Sequence, residues 1–194
     1  MPKREIVKTV SPMKQIVLSF LLCLASLSAY AQEYYYNDTK TFVEDGYTYQ
    51  CDVLKGAAFV TLYNKDNKFI HVDAMNKVAK RLLTEGETYE KTLVEDISIP
   101  PLFEKIVYSA FTDAQKQEMK DSNIPFTISM YIDSETGEIV DVRFQFLSID
   151  PYAKVPVSTY RKIEVELKRQ IRFTPTEDGR KRNYIFLGIL QRIE

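Results

Sequence analysis

Apolar and polar side chains alternate along residues 126–132 and again along residues 140–146. A period of two is typical of β-strands, and the split into one apolar and one polar face indicates a sheet that is covered on one side only. The intervening letters S-E-T-G-E include Gly137, which can adopt the positive φ angle that a tight turn requires. The pattern therefore predicts a β-hairpin.

A helix and a third strand are predicted after the hairpin. Apolar residues recur at helical spacing from residue 157, and charged residues, Glu164 and Lys168 among them, take the outward positions. These two form a favourably ordered i,i+4 pair. Residues 184–193 are apolar on both faces and predict the last strand. In an all-antiparallel sheet this strand lies beside the first hairpin strand, in the order 2-1-3, and an apolar strand at such an edge needs a covering element or a partner.

Shorter strands are predicted in the first half of the chain. Residues 47–53 alternate with a period of two, and residues 57–63 and 69–72 are further strand candidates. The polar letters N-K-D-N-K between the last two runs are typical of a hairpin turn.

Helical spacing appears twice in the same half. A helix is predicted near residues 74–83, where five apolar residues share one face and Asp73 stands at the N-cap position. Residues 101–120 predict helix again, and Thr112 or Asp113 can cap a second short helix within that range.

Together these elements predict an α+β protein. Its C-terminal part, residues 123–194, is predicted to be a β-β-α-β unit with a three-stranded antiparallel sheet and a packed helix. A β-rich region with short helices, residues 47–122, precedes it. Residues 32–46 are polar and aromatic, include three consecutive tyrosines, and are predicted to be flexible.

The first 31 residues have the layout of a secretory signal peptide. A basic start at Lys14 precedes an apolar run over residues 16–27, with small residues at Ala29 and Ala31. The run is shorter than the roughly 20 residues that a membrane-spanning helix needs. We expect cleavage between Ala31 and Gln32, no membrane span in the mature chain, and a periplasmic or extracellular location. Met13 is an alternative start to Met1.

Charge and cysteine content narrow the function classes. The chain has a formal net charge of −1, and removal of residues 1–31, which hold four basic residues and one acidic residue, would change this to about −4. No basic stripe or polybasic tract is present, which argues against nucleic-acid or anionic-lipid binding. Cleavage would also leave Cys51 as the single cysteine, so no intramolecular disulfide can form.

Candidate chemistry is sparse. Cys51, the single histidine His71 and Asp73 can be drawn as a nucleophile set, but no flanking signature supports it. The carboxylates of Asp133, Glu135 and Glu138 could hold calcium, although their spacing is that of an ordinary hairpin tip. No phosphate-cradling glycine loop or G-x-S-x-G motif occurs, and no cofactor or metal is expected.

Four local features resemble the C-terminal domain of TonB. They are the strand ending at Asp133, the letters S-E-T-G-E-I-V-D-V, the helix leading into I-R-F-T-P, and the Asp178-Gly179 turn before the last strand. The resemblance covers residues 123–194 and implies a β-β-α-β fold that can bind a peptide by strand addition. It does not imply energy transduction, because no proline-rich spacer is present. The whole chain also looks like small secreted Bacteroidetes proteins of unknown function.

These observations favour an exported, non-catalytic module that binds a peptide, a protein or an envelope component at the last strand. Tyr184, Phe186 and Leu190 share one face of that strand and are the candidate binding residues. The alternative is an exported hydrolase with an unrecognised site. The oligomeric state stays open.

Overall fold

Six antiparallel strands form the main sheet, and they come from both halves of the chain. The structure is a computed structural model that describes residues 35–54 and 56–194; the predicted signal peptide lies outside these residues. In chain order the strands are β1 (Lys40–Glu44), β2 (Tyr47–Leu54), β3 (Phe59–Asn64), β4 (Met75–Asn76), β5 (Arg81–Leu82), β6 (Phe126–Ile132), β7 (Ile139–Leu147) and β8 (Ile185–Gln191). The main sheet has the order β1-β2-β3-β7-β6-β8, while β4 and β5 form a separate two-stranded sheet.

Helices supply the second layer of the core. They are α1 (Glu85–Thr88), α2 (Ile99–Ala110), α3 (Asp113–Ser122), α4 (Val157–Gln170) and α5 (Glu177–Arg180), with a short 3-10 helix at Pro151–Lys154. The long helix α4 packs on the apolar face of the sheet, where the Tyr160 ring lies 4.9 Å from the Phe144 ring and 5.4 Å from the Phe146 ring. In the part of the chain that the structure describes, no helix is long and apolar enough to cross a membrane.

The predicted α+β class is confirmed, but the sheet is larger than predicted. The C-terminal strands do not form a separate three-stranded sheet, because β3 pairs with β7 and adds β3, β2 and β1 to it. The joining register sets Val60 opposite Phe146 and Leu62 opposite Phe144, so apolar side chains of both halves share one core. The outer sides of these strands stay polar or half-exposed.

The prediction that residues 32–46 are flexible is wrong for the described part of that segment. Tyr36 is completely buried, and its hydroxyl donates a 2.8 Å hydrogen bond to the backbone carbonyl of Val155. Lys40–Glu44 then forms β1 and pairs with β2 along its whole length. Tyr36 therefore anchors the segment in the core, and Tyr35 and Phe42 pack against it.

The helix predicted near residues 74–83 is also wrong. This stretch forms the β4–β5 hairpin, in which the side-chain oxygen of Asn76 accepts hydrogen bonds from the backbone N–H groups of Val78 and Ala79. The backbone N–H of Met75 donates to the Asn183 side chain, and that of Lys77 donates to the Lys181 carbonyl. Hydrogen bonds to the loop at residues 181–183 therefore determine the conformation of this stretch. The apolar side chains with helical spacing do not: Val78 and Leu82 are exposed.

Residues 69–72 do not form the predicted strand. The Asp141 carboxylate accepts hydrogen bonds from the backbone N–H groups of Lys68 and Phe69, at 2.7 and 2.6 Å. These bonds hold the segment after β3 as an irregular cover over one end of the sheet's outer face. The polar letters before it are therefore the start of a loop, not a hairpin turn.

Glu164 is buried, whereas the helical pattern predicts an outward position. It is only 2% exposed, and its carboxylate accepts hydrogen bonds from the Tyr49 hydroxyl and, at 2.5 Å, from the Lys168 ammonium group. The predicted Glu164–Lys168 pair is confirmed, and it supplies the counter-charge that a buried carboxylate needs. Tyr49 projects from β2 towards α4, and the Glu164 carboxylate accepts the hydrogen bond of its buried hydroxyl.

The hairpin turn between β6 and β7 depends on its glycine. Gly137 has a φ angle of +73°, and a Cβ atom at this position would lie 1.8 Å from the carbonyl oxygen of Phe173. Both the left-handed backbone and the close approach of the loop after α4 therefore require a residue without a side chain.

Candidate functional site

The last strand, β8, forms one end of the main sheet. It pairs with β6 from Ile185 to Gln191. Among residues 35–54 and 56–194, no backbone hydrogen bond joins β8 to any other element. The first half of the chain extends the sheet at its other side, beyond β7. The outer backbone groups of β8 are therefore available to another strand.

An apolar groove runs between β8 and the start of α2, and we call it the edge groove. Its first part has a volume of about 370 Å³. The apolar side chains that line this part are Leu93, Val94, Ile99, Pro100, Phe103, Phe173, Leu187 and Ile189. A second part of about 580 Å³ shares Glu104, Ile189 and Gln191 with the first and continues past Tyr108. Its lining is more polar and includes Lys105 and Arg192. The groove thus follows the helix-facing side of the free strand.

Carboxylates outnumber ammonium groups at the first part of the groove. Glu95, Asp96 and Glu104 line it together with a single lysine, Lys91, which pairs with Glu95 at 3.5 Å. The hydroxyl and backbone N–H of Ser98 donate hydrogen bonds to Asp96, and they hold the pKa of that carboxyl below its ordinary value. The rim is therefore negatively charged at neutral pH.

The three predicted binding residues differ in accessibility. Phe186 and Leu190 are 48% and 66% exposed on the face of β8 that points away from the helices. Tyr184 precedes the strand and is buried; its hydroxyl donates a 2.7 Å hydrogen bond to the Val72 carbonyl. Its ring packs between those of Phe69 and Tyr131, so it anchors the covering segment.

Sequence reasoning missed the groove residues on the other face of β8. Leu187 and Ile189 lie on the helix-facing side of β8, where they contact the core and also form the floor of the edge groove. The opposite wall comes from Ile99 and Phe103, which are about 90 residues away in sequence. The tandem prolines at the start of α2 show where that helix begins but not what it lies against.

The Cys51–His71–Asp73 set is not assembled. Cys51 pairs with Leu62 and faces the helices, where burial raises the pKa of its thiol to about 11. His71 is exposed and lies 3.4 Å from the hydroxyl of Tyr63, whose side chain is on the other face of the sheet. The sheet therefore separates the thiol from the imidazole.

The carboxylates of the β6–β7 turn have other partners. Asp133 accepts hydrogen bonds from the backbone N–H groups of Glu135 and Thr136, which hold its pKa below the ordinary value. Glu135 pairs with Lys77, and Glu138 pairs with Arg172. Within the residues that the structure describes, no group of three or more His, Cys, Asp or Glu side chains could hold a metal ion.

The fold and edge groove define an α+β protein built on a six-stranded antiparallel sheet, whose last strand, β8, is apolar. The chain belongs to the DUF5043 family, a domain of unknown function, whose family model matches residues 32–189. A crystal structure of a DUF5043 family protein from Bacteroides uniformis is similar to it, with 39% sequence identity and a TM-score of 0.75. The similarity covers 82% of this chain and 88% of that one. A search of the curated proteins found no match.

This assignment corrects the resemblance to TonB. The family model and the similar structure both indicate DUF5043 and not a TonB C-terminal domain. The features behind the resemblance were a hairpin, a helix, a glycine turn and a closing strand. Any antiparallel sheet with a helix packed on one face uses such features, so they do not distinguish between families.

Proposed function

We propose that this protein is an exported, non-catalytic module that binds an extended segment of an envelope protein as an additional strand beside β8. The observation that carries the proposal is the apolar strand β8, which pairs with β6 on one side, has an unpaired outer edge, and borders a groove on its helix-facing side. In strand addition, backbone hydrogen bonds provide affinity, and pockets for alternate side chains provide specificity. The edge of β8 and the edge groove together offer both.

The ligand is expected to be apolar on the face that enters the edge groove and basic at its ends. Side chains on one face of an added strand would enter the edge groove, and those on the other would contact the exposed Phe186 and Leu190. The acidic rim formed by Asp96 and Glu104 favours lysine or arginine beside the apolar residues. A peptide with alternating apolar side chains and terminal lysines fits this description.

Export belongs to the same proposal. It rests on the basic, apolar and small-residue succession of residues 14–31. N-terminal sequencing of the mature protein from the producing cell should begin at Gln32 or be blocked by cyclisation of that glutamine. A mature protein that begins at Met1 or Met13 would contradict export by this route.

A synthetic peptide, Ac-K-T-V-T-L-T-V-T-K-amide, tests strand addition by calorimetric titration. We expect micromolar binding, and we expect two N-methylated forms to differ sharply. One form is methylated at the three backbone nitrogens of Val and Leu, and the other at three backbone nitrogens of Thr. Because successive N–H groups of a strand point to opposite edges, the two forms are blocked at opposite edges. One form loses three hydrogen bonds of about 1 kcal/mol each, so it should bind about a hundredfold more weakly than the other. Equal binding of the two forms would refute strand addition.

A matched pair of protein variants locates the site. Leu190→Lys places a charge on β8, whereas Val43→Lys makes the same change on β1, at the opposite end of the sheet, where Val43 is 74% exposed. We expect the first to weaken peptide binding about tenfold, through loss of apolar contact and repulsion of the peptide's lysines, and the second to leave it unchanged. The reverse order would move the binding site to β1.

A further inference from the structure

Arg143 lies on the face of the sheet opposite the helices, in a cross-strand row that leads to the free edge. It is paired with Ser129 on β6, and Ser129 is paired with Gly188 on β8. Ser129 is buried, and the Phe186 ring lies beside Gly188; we call this row of small residues, together with the Arg143 side chain, the Arg143 trough. Phe186 and Leu190 flank Gly188 on the same face, because residues two apart in a strand point the same way. The trough opens at the edge where the added strand is proposed.

Aromatic rings hold the Arg143 guanidinium without using its hydrogen-bond donors. Its central carbon lies 5.9 Å from the centre of the Tyr131 ring and 5.8 Å from that of the Phe186 ring. Cation–π contacts of this kind involve the ring face and leave the N–H groups available. The Nε–H of Arg143 is buried and has no hydrogen-bond partner among the described residues.

Neighbouring groups do not supply the missing acceptor. In the described part of the chain no carboxylate forms an ion pair with Arg143; Asp141, two residues earlier on the same face, accepts from Lys68 and Phe69 instead. The hydroxyl of Ser129 is 1% exposed and also lacks a partner. A buried hydrogen-bond donor without an acceptor is unfavourable, so its presence indicates that the acceptor comes from a bound ligand. Arginine is the residue best suited to bind a carboxylate through two parallel hydrogen bonds.

We infer that the Arg143 trough binds the carboxylate of a glutamate side chain on the strand that adds to β8. This inference rests on the proposed function and assigns the ligand a central acidic residue between its basic ends. The added strand would lie about 14 Å from β7, which is three strand spacings of about 4.8 Å. An Arg143 side chain that already reaches Phe186 and an extended glutamate together span this distance, and they would meet at the Phe186 ring, which lies beside Gly188. Aspartate is one methylene shorter and should fit less well.

The test compares four peptides that differ at one position. In Ac-K-T-V-T-L-T-V-T-K-amide the threonine before the leucine is kept, or replaced by Glu, Gln or Asp, and each is titrated against the folded protein. We expect the Glu peptide to bind about tenfold more tightly than the Gln peptide, with Asp between them. Arg143→Gln should abolish the preference for Glu over Gln, because the variant has no guanidinium to bind the carboxylate. Arg143→Lys should retain part of the preference, because it keeps the charge but loses the planar fork.

A matched variant and two negative outcomes make the result decisive. Arg169→Gln removes the same charge from the exposed surface of α4, and we expect it to keep the Glu preference. If all four peptides bind the unaltered protein equally, or if Arg143→Gln keeps the preference, the trough does not bind a carboxylate, although strand addition stands. If no peptide binds, the proposed function fails and the inference fails with it.

Discussion

Replacing Tyr36 with alanine should lower the free energy of unfolding by about 3–5 kcal/mol, the usual effect of removing a large buried aromatic ring. The Tyr36 ring meets those of Phe146 at 5.2 Å, Phe42 at 5.5 Å and Tyr160 at 6.1 Å. It therefore connects the segment before β1 to the sheet and to α4. The change also leaves the Val155 carbonyl without its donor.

Urea denaturation followed by circular dichroism measures this effect. Val43→Ala on the neighbouring strand is the control, because Val43 is exposed, and surface changes of this kind stay within about 0.5 kcal/mol. A decrease in the free energy of unfolding below about 1 kcal/mol for Tyr36→Ala would mean that the segment before β1 is loosely attached, as the sequence pattern predicted.

Alkaline pH should unfold the protein steeply above pH 10. Burial raises tyrosine pKa values above the ordinary value of 10.0, and four of the affected tyrosines are completely buried: Tyr36, Tyr49, Tyr152, whose pKa is raised to about 12, and Tyr160. Above pH 10 the unfolded chain releases these protons while the native state keeps them, so the unfolded state binds fewer protons and stability falls as pH rises. Each tyrosine contributes about 1.4 kcal/mol per pH unit, so the four together lower the free energy of unfolding by about 5.5 kcal/mol per pH unit.

Urea midpoints between pH 8 and pH 12 check this slope. Tyr160→Phe removes one buried hydroxyl and should reduce the slope by about 1.4 kcal/mol per pH unit. Tyr89→Phe is the matched control, because Tyr89 is 82% exposed and the change should leave the slope unaltered. A free energy of unfolding that is constant from pH 9 to pH 11 would contradict the burial of these hydroxyls.

Local periodicity predicts the elements that are long and stay within one stretch of sequence. The β6–β7 hairpin and α4 are of this kind, because their apolar residues face one core and their turns carry the required residues. Residues 74–83 show the limit of the method. Their apolar spacing is helical, yet Asn183 and Lys181 pair with the backbone of Met75 and Lys77, and no pattern within the stretch reveals those partners.

The candidate site is predictable in part for the same reason. The alternation in β8 identifies Phe186 and Leu190 as outward residues of the last strand, and both are exposed. One wall of the edge groove comes from α2. The packing of α2 beside β8 is tertiary structure, which local sequence patterns do not predict. In the sequence, Arg143 resembles any other outward-facing residue of β7. The structure shows that the nearby Asp141 carboxylate accepts hydrogen bonds from Lys68 and Phe69 and does not pair with Arg143.

The exposed apolar residues of β8 have a cost for a protein that remains unbound. Phe186 and Leu190 lie on a strand whose outer edge is unpaired, and such an apolar edge promotes association between chains. Edge strands of natural proteins usually carry lysine, proline or a bulge for protection, whereas β8 carries glycine and aliphatic residues along its centre. The partner strand that we propose would explain why this edge is unprotected.

Amide hydrogen exchange of the protein with and without the Glu peptide tests strand addition most directly. Added strands protect the backbone N–H groups with which they pair, so the account predicts slower exchange at alternate residues of β8, between Ile185 and Gln191, and no change in β1. Saturating peptide that leaves exchange in β8 unchanged, or slows it in β1 instead, would contradict the account.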